Sequence, residues 1–269
     1  MKSLAESGAA LLGGELRQSC PLEGGSLSQI VQIALQDGRE AIVKGGPAPR
    51  AEAAMLYAIA ASGAPAPAVL AVSTEALVIE LMPAGGSLNR AWVSLGEAAA
   101  TLHAAKGRSY GWAENYAFGP VAIVNDREDR WPDFWAAHRL LTHCAHISAP
   151  LARRVEMLAA DLANRLPAQP TPALLHGDLW GGNVLVAGDN KLSALIDPAC
   201  YYGHAEVDIA MLSLFDTPSS AFYEAYGGME PGHEERLVIY QLWPALVHLR
   251  LFGNSYRPLV ERFLSCAGV

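Results

Sequence analysis

Leu174 to Gly203 reads LLHGDLWGGNVLVAGDNKLSALIDPACYYG, and the fold is decided by how this stretch is read. It sets His176, Asp178, Asn183 and Asp197 around two short apolar runs, Val184 to Ala187 and Leu192 to Ile196, which Gly188-Asp189-Asn190-Lys191 joins as a hairpin. Polar side chains between strands that must bury need a reason, because an unpaired polar group in a protein interior costs free energy. Phosphoryl transfer supplies one: the protein holds cations against phosphates, orients the attacking hydroxyl and takes up its proton. In the kinase catalytic loop H-R-D-x-x-x-x-N the Asp is the base, the Asn binds metal, and a second metal-binding Asp follows on the next hairpin. Here Asp178 and Asn183 are five residues apart and Asp197 comes fourteen later, which fits. Each residue alone has an ordinary explanation: a hydrogen-bonded turn at His176 and Asp178, a strand cap at Asn183, and a cap before Pro198 at Asp197. The four together predict a phosphotransferase site, since a motif gains weight as independent context accumulates.

The residues upstream provide that context. From Gln29 to Lys44 apolar and polar residues alternate about a turn at Asp37-Gly38, the signature of a two-stranded hairpin. A helix is expected from near Ala51 to Gly63, then strands over Ala68 to Val72 and Ala76 to Met82. Ala41-Ile42-Val43-Lys44 resembles the V-A-I-K strand whose lysine holds the α- and β-phosphates, and Glu52, in the first turn of the following helix, is its candidate partner. The ordinary alternatives are a surface lysine at a strand end and a helix acid favoured by the macrodipole. Gly24 and Gly25 form a candidate phosphate-approaching turn before the first strand. In a two-lobed kinase the last sheet strand ends in the backbone groups that read adenine, which are here those of Glu80 and Met82.

Pro83-Ala84-Gly85-Gly86-Ser87 interrupts the strand pattern, and helical periodicity dominates beyond it. The expected architecture is therefore α+β and two-lobed, with residues 1–82 as a nucleotide-binding lobe and 83–269 as a helical lobe carrying the catalytic loop. Helices are expected over Ala91 to Ala105, Pro132 to His146, Pro150 to Leu166, Ala205 to Phe215, Ser219 to Tyr226, His233 to Leu251 with a kink at Pro244, and Pro258 to Cys266.

Composition excludes several classes. The 269 residues carry a net charge of −8 and no basic run, so nucleic acid is not an expected partner. Cys20, Cys144, Cys200 and Cys266 are widely spaced and are expected to be reduced core thiols in a cytoplasmic protein, as no export signal is visible. Ala53 to Thr74 is uncharged and nominally long enough to span a bilayer, but Ser62-Gly63-Ala64-Pro65-Ala66-Pro67 breaks it, so no membrane span is expected.

HGDLWGGN at 176–183, IDPACYYG at 196–203 and EVDIAM at 206–211 resemble the fructosamine (ketosamine) kinase family. Tyr110-Gly111-Trp112 with Asn115-Tyr116, Trp131-Pro132-Asp133-Phe134-Trp135, and Leu246-Val247-His248-Leu249 before Leu251-Phe252-Gly253 extend the likeness over nearly the whole chain. The resemblance implies a protein-kinase-like fold shared with aminoglycoside phosphotransferases. It also implies transfer of the ATP γ-phosphoryl, with Mg²⁺, to a sugar hydroxyl, typically O3, of a ketosamine formed on a free or protein-borne amine. The phosphorylated adduct is unstable, so the step serves deglycation. By this likeness Asp178 is the base, Asn183 and Asp197 are magnesium ligands, Lys44 and Glu52 align phosphates, and Asp208 braces the catalytic loop. Trp180 and His248 are candidate substrate contacts, with a wedge beside the loop and a core histidine as their alternatives. His204-Ala205 departs from the Asp or Asn and Arg or Pro common in the family, and the glycine loop differs too, which bears on substrate preference.

Rival readings are a kinase for another hydroxyl compound such as an aminoglycoside or choline, a metallohydrolase using His176 and Asp178, and a non-catalytic nucleotide-binding module. Cys200-Tyr201-Tyr202-Gly203 disfavours the first, the lack of further histidines near Asn183 the second, and the complete set of Lys44, Asp178, Asn183 and Asp197 the third.

Overall fold

The computed structural model describes residues 2–22 and 29–269, so the Gly24-Gly25 turn lies outside the described residues. Helix α1 (Leu4–Leu11) opens on a capping box in which the Ser3 hydroxyl accepts from the Glu6 amide and the Glu6 carboxylate accepts from the Ser3 amide. There follow β1 (Leu16–Pro21), β2 (Ile30–Leu35), β3 (Glu40–Gly45), helix α2 (Pro49–Ser62), β4 (Val69–Val72) and β5 (Ala76–Ile79). The five strands make one antiparallel sheet in the order β1-β2-β3-β5-β4. Its β2–β3 turn needs Gly38, whose φ of +89° is a conformation that a Cβ disfavours.

Alternation along the strands divides the sheet's apolar residues between two helices. Val31, Ile33, Leu35, Val43 and Val78 pack with Ala5 and Ala9 of α1, while Leu77 and Ile79 pack with Ala53 and Leu56 of α2. Close approach of α1 depends on Gly8, where a Cβ would lie 2.3 Å from Val43 Cγ2. By the same alternation Lys44 shares the side of Ile42, toward α2, and α2 carries Glu52 in its first turn. The sheet thus aims a lysine at an acid eight residues later in the chain.

The rest of the described chain is mainly helical. It contains α3 (Trp92–Ala104), β6 (Tyr116–Phe118), β7 (Val121–Ile123), α4 (Trp131–Trp135), α5 (Ala149–Arg165), β8 (Ala173–Leu175), β9 (Val184–Val186), β10 (Leu192–Leu195), β11 (Tyr201–Gly203), α6 (Glu206–Phe215), α7 (Ser220–Tyr226), α8 (His233–Phe252) and α9 (Arg257–Cys266). Its core is aromatic: Trp131, Phe134, Trp135, Tyr201 and Tyr240 are buried together, with Trp131 and Phe134 stacked at 5.4 Å.

Three expectations are corrected. The helix expected over 132–146 is broken into α4, a π-helical turn over Ala136–Leu140 and a 3-10 turn over Leu141–His146. The irregular turn carries Arg139, fully buried with its guanidinium 4.1 Å from the Tyr201 ring centre and donating to Val124 O at 2.6 Å and Asn125 Oδ1 at 2.8 Å. The strand expected to reach Met82 ends at Ile79. Of the four cysteines, all free, only Cys200 is a buried core thiol, whereas Cys20 on the edge strand and Cys266 at the last helix end are exposed. Helix α8 runs as one helix through Pro244. Ala53 to Thr74 resolves into helix, turn and strand, and no described helix is long and apolar enough to cross a membrane.

Candidate active site

Two short ladders frame the site. Strand β8 pairs antiparallel with β11, and β9 with β10, so the chain passes from one ladder to the other twice. The first passage carries His176 to Asn183 and the second carries Asp197. Backbone bonds tie the passages together: Ile196 N donates to Asn183 O at 3.0 Å, and Ala199 N to His176 O at 2.9 Å. Gly177, at φ +81°, permits this, because a Cβ there would lie 2.0 Å from Ala199 O. His176 is buried, its Nε2–H donates to Ile196 O at 3.0 Å, and its Nδ1 accepts weakly from Asp178 N at 3.4 Å. Burial lowers its pKa and keeps the ring neutral.

Asp208 anchors the loop from beneath. Fully buried in the first turn of α6, it accepts from His176 N at 2.6 Å, Gly177 N at 2.9 Å and His103 Nε2 at 3.1 Å. The bracing expected of Asp208 is therefore observed, and His103, supplied by α3 and itself bonded to the Tyr226 hydroxyl at 2.8 Å, is an addition that sequence reading missed. Asp216, likewise missed, accepts from Gly181 N at 2.7 Å. The Gly181-Gly182 pair is explained by contact: a Cβ on Gly181 would lie 2.5 Å from Asp216 Oδ1, and one on Gly182 2.3 Å from the Trp180 ring.

Asp178 and Asn183 meet. The Asn183 amide nitrogen donates to Asp178 O at 2.8 Å and to Asp178 Oδ2 at 2.9 Å, which leaves Asn183 Oδ1 free to accept. Burial, opposed by the Asn183 bond and reinforced by Asp197 and Asp208, pushes the Asp178 carboxyl up to about 7. Across the site Lys44 bonds Glu52 and donates to Asp197 Oδ1 at 2.5 Å. Burial works against the Lys44 charge, but the two carboxylates outweigh it and raise its pKa. Asp197 sits at φ +55°, a strained conformation for a residue with a Cβ, of the kind that concentrates at functional sites. Tyr116, which the likeness included without a role, lines the small cavity over Lys44 and Glu52 together with Leu77.

Asp197 and Asn183 offer only oxygen donors, the chemistry that Mg²⁺ selects, so the residues present fit that ion. Glu80 and Met82 follow the sheet's last strand. The Glu80 amide is engaged with Ala68 O at 2.9 Å and its carboxylate with Ala68 N at 3.3 Å, whereas among the described residues no backbone bond takes up the Glu80 carbonyl or the Met82 amide.

On the other side of Asp178 opens a cleft of about 350 Å³ walled by Phe118, Trp180, Phe215, Trp243, His248 and Tyr256. Trp180 and His248, the two candidate substrate residues, line this same cleft. They touch through Phe215, which lies 5.9 Å from the Trp180 ring and 5.0 Å from the His248 ring. His248 Nδ1 donates to Pro244 O at 2.8 Å, so its Nε2 is an acceptor, and burial lowers its pKa. A carboxylate of raised pKa beside a rigid aromatic cleft, with a lysine–carboxylate cluster opposite, suits removal of a proton from a hydroxyl held against a phosphoryl donor.

Comparison with known proteins agrees. The family model described as fructosamine kinase matches residues 6–267. A probable ketoamine kinase of Synechocystis sp. is 38% identical over 202 residues, a match covering 70% of this chain and 66% of that protein, slightly under two thirds. The crystal structure of a putative fructosamine-3-kinase from Thermobifida fusca superposes with a TM-score of 0.89 at 30% identity, covering 98% of each chain. At 17% identity, an aminoglycoside phosphotransferase solved as a thermostable mutant with ADP and hygromycin B shares the fold, with a TM-score of 0.66 over 99% of this chain and 95% of that one. The chain is thus a member of the fructosamine kinase family of phosphotransferases, in a kinase-like fold.

Proposed function

We propose that the protein transfers the γ-phosphoryl of ATP to a sugar hydroxyl, O3, of a ketosamine, and so initiates deglycation of small or protein-borne amines. The observation that carries this reading is the Asp178 carboxylate, which lines an aromatic cleft and is bonded to Asn183, in the same loop–hairpin unit as the Asp197 that Lys44 bonds. Residues 1–82 would cover the nucleotide and 83–269 would carry acceptor and base. Adenine would bond the Glu80 carbonyl and Met82 amide, and Lys44, held by Glu52, would align the phosphates. Gly24 and Gly25 are assigned the phosphate turn by their position before β2. Asn183 Oδ1 and the Asp197 carboxylate would hold Mg²⁺, which when bound neutralises phosphate charge. Asp178 accepts the proton of the attacking hydroxyl, and its pKa near neutrality suits a base that must be ionised yet basic. Trp180 and Phe215 pack the apolar face of the sugar, and His248 Nε2 accepts from one of its hydroxyls.

ATP consumption with Mg²⁺ tests this, using ribulose-lysine, fructose-lysine, an aminoglycoside and choline as acceptors. Turnover with a ketosamine is expected. Turnover restricted to the aminoglycoside or choline would keep the catalytic residues and overturn the substrate class.

A further inference from the structure

A second cleft, of about 360 Å³, is lined by Lys106, Gly107, Arg108, Trp112, Arg127 and Tyr202 among others and shares no lining residue with the cleft at Asp178 or the cavity at Lys44. In a chain of net charge −8, its wall holds three cations and no carboxylate. The acids nearest in sequence to Arg127 do not line it, and one of them, Glu128, faces His138 at 3.5 Å. Among the described residues neither Arg108 nor Arg127 forms an ion pair, whereas Arg130, close by, pairs with Asp133. Lys106 donates to a backbone oxygen, His103 O, at 2.6 Å and to no acid. The Arg108 and Ser109 amides bond no described backbone group.

The cleft is also firmly built. The Tyr202 ring is pressed onto Gly107, where a Cβ would lie 2.5 Å from Tyr202 Cγ, and sits 5.6 Å from the Trp112 ring. Gly111, at φ +98°, exchanges two backbone bonds of 2.9 Å with Tyr202. Unpaired guanidinium forks and an ammonium around one cavity bind phosphate oxygens through charge-assisted bonds, and a fixed aromatic pair offers a face to a sugar ring. We infer that this cleft is a second ligand site, which binds a small phosphate ester through Lys106, Arg108 and Arg127.

Calorimetric titration of ribose 5-phosphate at low salt tests the site, with the active site filled by a non-hydrolysable ATP analogue and Mg²⁺. The comparison protein is Arg108→Gln/Arg127→Gln, whose exposed substitutions should leave Tm unchanged. Succinate and a hexaglutamate peptide serve as competing anions. One-to-one binding is expected in the wild type, weakening with added salt and by roughly tenfold in the double variant. Absence of heat at millimolar ligand, equal affinity in the variant, or preference for succinate or the peptide would overturn the assignment.

Discussion

Asp178 and Asp197 are the same residue type, nineteen positions apart in one loop–hairpin–loop unit, and their surroundings differ sharply. Asp197 bonds a buried lysine at 2.5 Å and is a third exposed. Among the described residues no cation pairs with Asp178, whose carboxylate bonds the Asn183 amide and opens on an aromatic cleft. A carboxyl facing apolar walls has its proton affinity raised, which is the case of Asp178. The two environments match the division of labour in the proposed function, in which Asp178 takes up a proton and Asp197, tied to Lys44, stands on the phosphate side.

The largest effect should come from Asp178→Asn, which keeps the shape and the Asn183 contact. Turnover should fall by about a hundredfold to ten-thousandfold, the usual range for a lost general base, while calorimetric affinity for nucleotide stays near wild type. Near-normal turnover would remove Asp178 from the base role. Next is Asp208→Asn, which sets an amide against buried N–H donors now satisfied by a carboxylate. It should cost about 3 kcal/mol, or roughly 6–12 °C in Tm, because buried donors without acceptors pay their full desolvation. An unchanged Tm would mean that the loop is held otherwise.

The pH profile probes the contrast directly. A base must be ionised to accept a proton, so kcat/KM should rise with pH through about 7 and level off above it, the value to which burial pushes Asp178. Below that point it should drop roughly tenfold per pH unit, and the residual activity of Asp178→Asn should lack this limb. An acid limb that persists in the variant would assign it to another group. The smallest effect is expected from Trp180→Ala, which removes an exposed ring packed on Phe215. Acceptor KM should rise by about two- to tenfold with ATP KM unchanged, in keeping with the modest worth of one aromatic contact.

Much of the site was legible in the chain because its chemistry is local. Asp178, Asn183 and Asp197 lie within one supersecondary unit, and Lys44 and Glu52 within a strand and the next helix turn, so spacing alone groups them. His103 is different: it reaches Asp208 across 105 residues, and a lone histidine on an alanine-rich helix carries no local signal. Phe215, Phe118 and Tyr256 come from three separated segments, and only tertiary packing makes them one cleft. Strand β1 escaped notice because, on the sheet edge, five of its six residues are exposed and show no alternation. Strands β8 and β11, three residues each, are too short for a period to emerge. Helix α1 did leave a mark, the Ser3-x-x-Glu6 capping box, which the early acid alone does not reveal.

The most direct test of the central claim is phosphorus NMR of the reaction mixture with ATP, Mg²⁺ and ribulose-lysine, followed in place because the proposed product would be short-lived. The account predicts a new phosphate ester whose phosphorus couples to the sugar proton on C3. Phosphorus coupled to any other sugar proton, or ATP cleaved to free phosphate with no ester formed, would contradict it.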